Sequence, residues 1–204
     1  MRKILLFVIV MFFATTKSYA QEVSNQSTPQ VQETVAQTVT DKLFQFFSQG
    51  DPAWRHARLG RSTIGRKGCL VTSLSMAAFH AGDTSINPLL LVQDLEAKGL
   101  VTKEGRIVPT KLGTALPLTP VARVRVTDAT VAALIEAELK QGRFVVLRLN
   151  HSASGKAGQH WVYALKVENG DIFVADPGRG YCDFLKNLYG KIAVAEMLVL
   201  EKNS

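Results

Sequence analysis

The spacing of apolar residues along the chain separates a helical region from a later region of strands. In the segment CLVTSLSMAAFHAG the apolar side chains recur at helical intervals, and Gly82 is a natural C-terminal stop. The residues that carry this pattern are Leu70, Leu74, Ala77, Ala78 and Ala81. The pattern predicts a helix that begins at Cys69.

Two further helices are predicted after this one. Pro88 and Gly99 fit the start and the end of a helix over residues 87–98. A short strand, ARVRV, leads into a third helix over about residues 128–140, which Gly142 ends.

The last third of the chain has the pattern of strands. The segments FVVLRLN, HWVYALKV, DIFVAD and AVAEMLVL are short and rich in β-branched and aromatic residues. Between the middle two, Asn169-Gly170 is a strong hairpin signal. Helices followed by an antiparallel sheet predict an α+β fold.

The N-terminus has the pattern of an export signal. Two basic residues precede an apolar run that ends at Ala14, and small side chains precede Gln21. This pattern is typical of a signal peptide over residues 1–20 that is cleaved after Ala20. It predicts a bacterial protein that is periplasmic or secreted.

The next segment predicts a flexible tether and sets the start of the domain. Residues 21–42 are rich in Gln, Thr, Ser and Val and lack aromatic side chains, so we expect one domain over residues 43–204. Removal of residues 1–20 would leave 21 basic and 17 acidic side chains, a net charge of +4.

Cys69 is the leading candidate for chemistry. A thiol nucleophile reacts as the thiolate and needs a base that accepts its proton. The start of the predicted helix directs free N–H groups at the sulfur, and Gly68 would allow a sharp turn before it. The preceding run RHARLGRSTIGRK carries five Lys and Arg side chains and no acidic one, which also favours an anion. A solvated loop would show the same composition.

Four histidines could supply the base: His56, His80, His151 and His160. His160 is the best placed, because it begins a predicted strand after a glycine-containing loop and could face Cys69 from a sheet edge. His80 lies near the far end of the Cys69 helix. His56 and His151 lie in predicted loops and stay open as alternatives.

The only other cysteine, Cys182, leaves a second interpretation of Cys69 open. An exported protein meets an oxidising compartment, where a Cys69–Cys182 disulfide would form readily. A domain of this size does not need a covalent link for stability, which weakens the structural reason to expect this disulfide. With a disulfide or an inert buried thiol, the domain would be a catalytically silent module that binds peptides or a partner protein.

The order of four segments resembles a known family. SQGDPAW, STIGRKGCLVTSLSMA, GQHWVYAL and VADPGRG follow one another as in papain-like cysteine peptidases related to the bacteriocin leader-processing enzymes. The resemblance covers about residues 43–185. It implies a papain-like fold and a thiol hydrolase that cleaves peptide or related amide bonds without a cofactor.

The same resemblance implies roles for four residues. Cys69 would be the nucleophile, His160 the general base and later the general acid, and Asp176 the residue that orients the imidazole. The Gln49 amide would join the Cys69 N–H in an oxyanion hole. Separately, we expect Trp161 to pack over the site and contact substrate, or to pack in the core. Gln49 and Asp176 could instead be ordinary turn residues.

A strict hairpin register would separate the members of this triad. With a two-residue turn at Asn169-Gly170, Asp176 would pair with Tyr163 and point to the opposite face from His160. A bulge in one strand is therefore required for the triad to close.

Other classes of protein find little support. GRSTIGRK only imitates a phosphate-binding loop, the cysteines and histidines lack zinc-ligand spacing, and no nucleic-acid motif accompanies the basic charge. We expect a monomer without metal that acts on a peptide or protein, with an acidic substrate or the anionic cell envelope as partner. A cell-wall peptide amidase or an acyltransferase of this fold would use the same groups.

Overall fold

A computed structural model describes the chain over residues 44–126, 130–151, 157–190 and 194–203. The predicted signal peptide over 1–20 and the predicted tether over 21–42 lie outside these residues.

The described elements form a helix-rich first half and a strand-rich second half. The first half contains β1 (Arg58–Leu59), β2 (Ser62–Thr63), α1 (Ile64–Lys67), α2 (Cys69–His80), α3 (Pro88–Ala97), a 3-10 helix (Pro109–Thr114) and β3 (Leu118–Arg125). The second half contains α4 (Val131–Lys140), β4 (Phe144–His151), β5 (Ala157–Glu168), β6 (Asp171–Asp176), β7 (Tyr181–Phe184), α5 (Leu185–Tyr189) and β8 (Val194–Lys202). The α+β class is confirmed.

The larger sheet has the strand order β3-β8-β4-β5-β6-β7, and each neighbouring pair is antiparallel. A small separate ribbon pairs β1 with β2. The order places β5, which carries His160, beside β6, which ends at Asp176.

The helix predictions agree closely with the structure. Helix α2 begins at Cys69, as its apolar spacing predicts. Helix α3 begins after Asn87, whose side chain accepts a hydrogen bond of 3.0 Å from the Leu90 N–H and caps the first turn. Helix α4 begins at Val131 and ends at the predicted Lys140, and its predicted start at about Asp128 lies outside the described ranges.

Apolar side chains cover both faces of the larger sheet. On one face α2 packs against β5 in the cluster of Trp161 and Tyr163, and α3 packs against α2. On the other face α4 packs against β4 and β5, and α5 packs against β6 and β7, in the cluster of Val162 and Ala164. Because both faces of the central strands β4, β5 and β8 are buried, these strands read as nearly continuous apolar runs rather than as an alternation.

Two hydrogen bonds fix the position of α2 along β5. The Ser73 hydroxyl donates to the Trp161 carbonyl at 3.3 Å, and the Tyr163 hydroxyl lies 2.6 Å from Nδ1 of His80. These contacts orient α2 so that its first residue, Cys69, lies toward the start of β5. They also give His80 a structural role at the opposite end of the helix.

The hairpin between β5 and β6 turns at the predicted residues. Asn169 and Gly170 have φ values of 52° and 79°, as a type I′ turn requires. Asparagine tolerates this left-handed region better than most residues with a side chain, and glycine adopts it freely.

A bulge in β5 changes which residues face each other further from the turn. The register slips between Ala164 and Lys166, so that Tyr163 pairs with Ala175 instead of Asp176. One residue further along, Asp176 is level with Val162 and points to the same face as His160. The bulge that the triad requires is therefore present.

Candidate active site

Cys69 is the first residue of α2 and is half-buried. Gly68 alone separates it from α1. The first N–H groups of a helix have no partner within it and carry a partial positive charge, so they stabilise an anion at this position. Cys69 therefore lies at the positive end of α2.

The reason for glycine at position 68 differs from the one that the sequence suggests. Gly68 has an ordinary φ of −81°, so no left-handed turn is needed. A Cβ there would lie 2.4 Å from the Ile64 carbonyl oxygen and 2.6 Å from its Cγ2. Glycine is required because the backbone entering α2 packs directly against Ile64, the first residue of α1.

The structure brings Cys69, His160 and Asp176 together. Nε2 of His160 lies 2.7 Å from Oδ1 of Asp176, and because a carboxylate can only accept, Nε2 carries the proton. The Cys69 side chain is also hydrogen-bonded to His160. Because Asp176 occupies Nε2, Nδ1 is the ring nitrogen that remains for this contact. Asp176 is fully buried and His160 is 3% exposed. The three groups form one chain of hydrogen bonds.

Asp176 orients the histidine and starts a turn at the same time. Its Oδ1 also accepts the backbone N–H groups of Gly178 at 2.9 Å and of Arg179 at 3.0 Å. Oδ2 accepts a hydrogen bond from the Tyr189 hydroxyl group. Burial raises the pKa of Asp176, but His160 and the other donors outweigh it and hold that pKa below its usual value. The two interpretations of this residue are thus compatible.

Tyr189 and Arg179 extend this chain. Arg179 lies in the quoted segment VADPGRG, but the sequence predicts no role for either residue. The Tyr189 ring lies with its centroid 6.3 Å from that of His160, and the Arg179 guanidinium lies 4.5 Å above the Tyr189 ring. Tyr189 ends the short helix α5, where it has the pattern of an ordinary packing residue.

The charge of His160 follows from these neighbours. Burial lowers the pKa of His160, but the hydrogen bonds and charges of Asp176 and Cys69 offset that effect and raise the pKa to about 9. The ring is therefore cationic at neutral pH. An imidazolium beside a thiol is the arrangement that stabilises a thiolate.

The second cysteine has a different environment. Cys69 and Cys182 are both free thiols in the structure, which therefore contains no Cys69–Cys182 disulfide. Burial and the nearby Asp176 charge raise the pKa of Cys182 to about 11. Cys182 therefore remains protonated and unreactive at neutral pH.

Gln49 connects two segments of the site. Its Nε2 donates to the Gly65 carbonyl at 3.1 Å, and its backbone N–H donates to the Pro177 carbonyl at 2.9 Å. Its Oε1 is buried without a hydrogen-bond partner among the described residues. Gln49 thus joins the segment before Cys69 to the segment after Asp176, and its part in an oxyanion hole stays a prediction.

The other histidines occupy different surroundings. His56 is exposed and its Nε2 accepts a hydrogen bond of 2.9 Å from Arg55. His80 contacts Tyr163 at the far end of α2. His151 ends β4, and its side chain lies outside the described part of the structure.

A cleft of about 690 Å³ opens beside Cys69. Trp161, predicted to pack over the site, lines the cleft together with the apolar side chains of Leu70, Ile107 and Pro109. Such a volume is in the range of cavities that hold small ligands or short peptide segments, about 300–1,000 Å³.

The described ranges show no group of three His, Cys, Asp or Glu side chains arranged to hold a metal ion. Within these ranges no helix is both long and apolar enough to cross a membrane.

Comparisons with known proteins give a distant structural similarity. No protein-family model matches the chain, and no curated protein matches it. Among solved structures, an inferred C39-like peptidase from Bacillus anthracis is similar with a TM-score of 0.46 and 13% sequence identity. The alignment covers 79% of this chain and 96% of that one. A match at this level identifies neither a family nor an activity.

Proposed function

We propose that this protein is an exported thiol hydrolase of the papain-like type that cleaves peptide or related amide bonds through an acyl-enzyme at Cys69. The observation that carries the proposal is the hydrogen-bonded chain from Cys69 through His160 to Asp176, at a helix N-terminus and beside an open cleft. A nucleophile, a base and a group that orients the base are the parts that acyl transfer requires.

The first half-reaction uses the thiolate–imidazolium pair. The Cys69 sulfur attacks the substrate carbonyl carbon, and the electron pair of the C=O bond moves to oxygen. When the tetrahedral intermediate collapses, the C–N bond breaks and the His160 imidazolium gives its proton to the leaving amine. Asp176 keeps the ring in the required tautomer and orientation, because its Oδ1 holds Nε2.

The second half-reaction releases the acyl group. Neutral His160 takes a proton from a water molecule, and the oxygen of that water attacks the thioester carbon. The C–S bond breaks, the carboxylic acid leaves, and the thiolate–imidazolium pair is restored. An amine in place of the water would give acyl transfer from the same intermediate.

The oxyanion of each intermediate needs donors next to Cys69. The backbone N–H of Cys69 lies at the helix start and is one candidate. Gln49 is the second: its amide nitrogen carries two protons, and the Gly65 carbonyl occupies one of them. We propose that the other proton binds the substrate oxygen.

A peptide digest tests the proposed function. The protein is incubated with a chymotryptic digest of a bacterial proteome, and new termini are counted by mass spectrometry. We expect cleavage by the wild type and by Cys182→Ser, none by Cys69→Ala or His160→Ala, and weaker cleavage by Asp176→Ala. Full activity in Cys69→Ala or His160→Ala would overturn the proposal.

A further inference from the structure

The cleft beside Cys69 is strongly cationic. Six guanidinium or ammonium groups line it against two carboxylates, an excess of four positive charges. The cationic residues are Arg66, Lys67, Arg106, Arg123, Arg125 and Arg148.

One of the two carboxylates is already neutralised. Glu196 is 6% exposed in its side chain and pairs with Nε of Arg123 and, at 3.1 Å, with Nε of Arg148. Burial raises the pKa of Glu196, but its two arginine partners outweigh burial and hold it below the usual value, so Glu196 is ionised at neutral pH. Each guanidinium carries five N–H groups, and one Nε–H from each is used on Glu196. Glu196 therefore holds two arginines in place at the cleft and leaves most of their donors unspent.

Four cations of the cleft lack an acidic partner. Among the described residues, no carboxylate lies within ion-pair distance of Arg66, Lys67, Arg106 or Arg125, and all four are exposed. These side chains come from three separate segments: α1, the segment between α3 and the 3-10 helix, and the end of β3. The field in the cleft is thus positive from several sides, which favours a ligand with more than one negative charge.

From this charge distribution we infer that the substrate is an acidic peptide, with Asp or Glu side chains within a few residues of the bond that Cys69 attacks. The inference rests on the proposed function for the position of that bond. A peptide fits the mixture of surfaces, because its backbone and apolar side chains can lie against Trp161, Leu70 and Ile107 while carboxylates reach the arginines.

The first test measures the charge of the cleft at the sulfur. Cys69 is alkylated with anionic iodoacetate and with neutral iodoacetamide. The rate constant for iodoacetate divided by that for iodoacetamide is compared with the same ratio for 2-mercaptoethanol. We expect a higher ratio at Cys69, and a fall of roughly 2- to 5-fold in the double variant Arg66→Gln/Arg125→Gln. The control, Arg61→Gln/Lys111→Gln, removes the same charge outside the cleft lining and leaves the ratio unchanged. An equal fall in both double variants, or none in the first, would overturn the inference.

The second test measures the kind of anion. The peptides acetyl-AEAEA-amide and acetyl-AQAQA-amide, inorganic phosphate and a thymidine trinucleotide compete with iodoacetamide for access to Cys69. We expect protection by the glutamate peptide at concentrations at least tenfold lower than by the other three, and loss of this difference in Arg66→Gln/Arg125→Gln. Equal protection by phosphate or by the trinucleotide would overturn an acidic peptide as the ligand.

These results are separable from failure of the proposed function. If Cys69 is not an activated nucleophile, both reagents label it no faster than a free thiol and His160→Ala changes nothing. The ratio of the two reagents and the order of protection still report the charge preference of the cleft in that case.

Discussion

Replacement of Asp176 by asparagine removes the charge that makes His160 cationic. The asparagine side chain keeps an Oδ1 that can accept from the backbone N–H groups of Gly178 and Arg179, so we expect the turn and the fold to survive. What is lost is the carboxylate charge beside Nε2. The substitution therefore separates the electrostatic role of Asp176 from its structural one.

The size of the effect follows from the pKa of His160. Its rise from 6.5 to about 9 corresponds to roughly 3 kcal/mol in favour of the imidazolium, at about 1.4 kcal/mol for each pKa unit. Asp176 is the first of the groups that raise this pKa, ahead of Cys69. We expect Asp176→Asn to lower the His160 pKa by at least about one unit.

The assay is an NMR titration of the histidine ring protons in wild type and in Asp176→Asn, with His160→Gln used to assign the signal. Circular dichroism checks that each variant is folded. A His160 pKa that stays near 9 in Asp176→Asn would refute the electrostatic account of this site.

Three further predictions concern the supports of the triad. Tyr189→Phe removes a donor to the Asp176 carboxylate and should lower kcat several-fold and shift its pH profile while KM stays unchanged; an unaltered profile would assign Tyr189 to packing alone. Gly68→Ala forces a Cβ against Ile64 at the start of α1 and should reduce the free energy of unfolding in urea by ~1–3 kcal/mol, and a neutral result would contradict the close packing. Because the pKa of His160 is raised on folding, the contribution of His160 to stability is complete below pH 6.5 and is lost as the pH rises to about 9. The melting temperature of wild type should therefore fall across this pH range more than that of His160→Gln. Parallel curves of melting temperature against pH for the two proteins would argue against the raised pKa.

Much of the fold follows from local patterns in the sequence. The apolar spacing after Cys69 and the fit of Pro88 to a first helical position predict the starts of α2 and α3, because both depend on neighbours in the chain. Asn169-Gly170 likewise predicts the hairpin, since its backbone angles are a local property.

The bulge could not be located in the same way. It lies at Leu165, in a strand whose residues all suit a regular ladder, and it depends on how β5 packs on both faces of the sheet. Without it, local reasoning places Asp176 on the wrong face. The resemblance of short motifs paired Asp176 with His160, as the structure does, although a regular register argued against it.

The partners of Asp176 and the charge of the cleft are tertiary properties. Tyr189 is 13 residues from Asp176 in the chain, and nothing in LKNLYG marks it as a donor. The arginines of the cleft left a weak signal: ARVRV places Arg123 and Arg125 two residues apart, on one face of a strand. These two arginines line the same cleft as Arg66 because of the tertiary arrangement of β3 and α1, which the sequence pattern does not encode.

The most direct test of the central claim is alkylation of the purified protein by iodoacetamide without reductant, from pH 4 to 9, with mass spectrometry assigning the label. We predict fast labelling of Cys69 well below the free-thiol pKa of about 8.5, slower labelling in His160→Ala, and little labelling of Cys182. Labelling of Cys69 that appears only after a reductant is added, or that follows the pH dependence of a free thiol in both proteins, would contradict an activated nucleophile at this position.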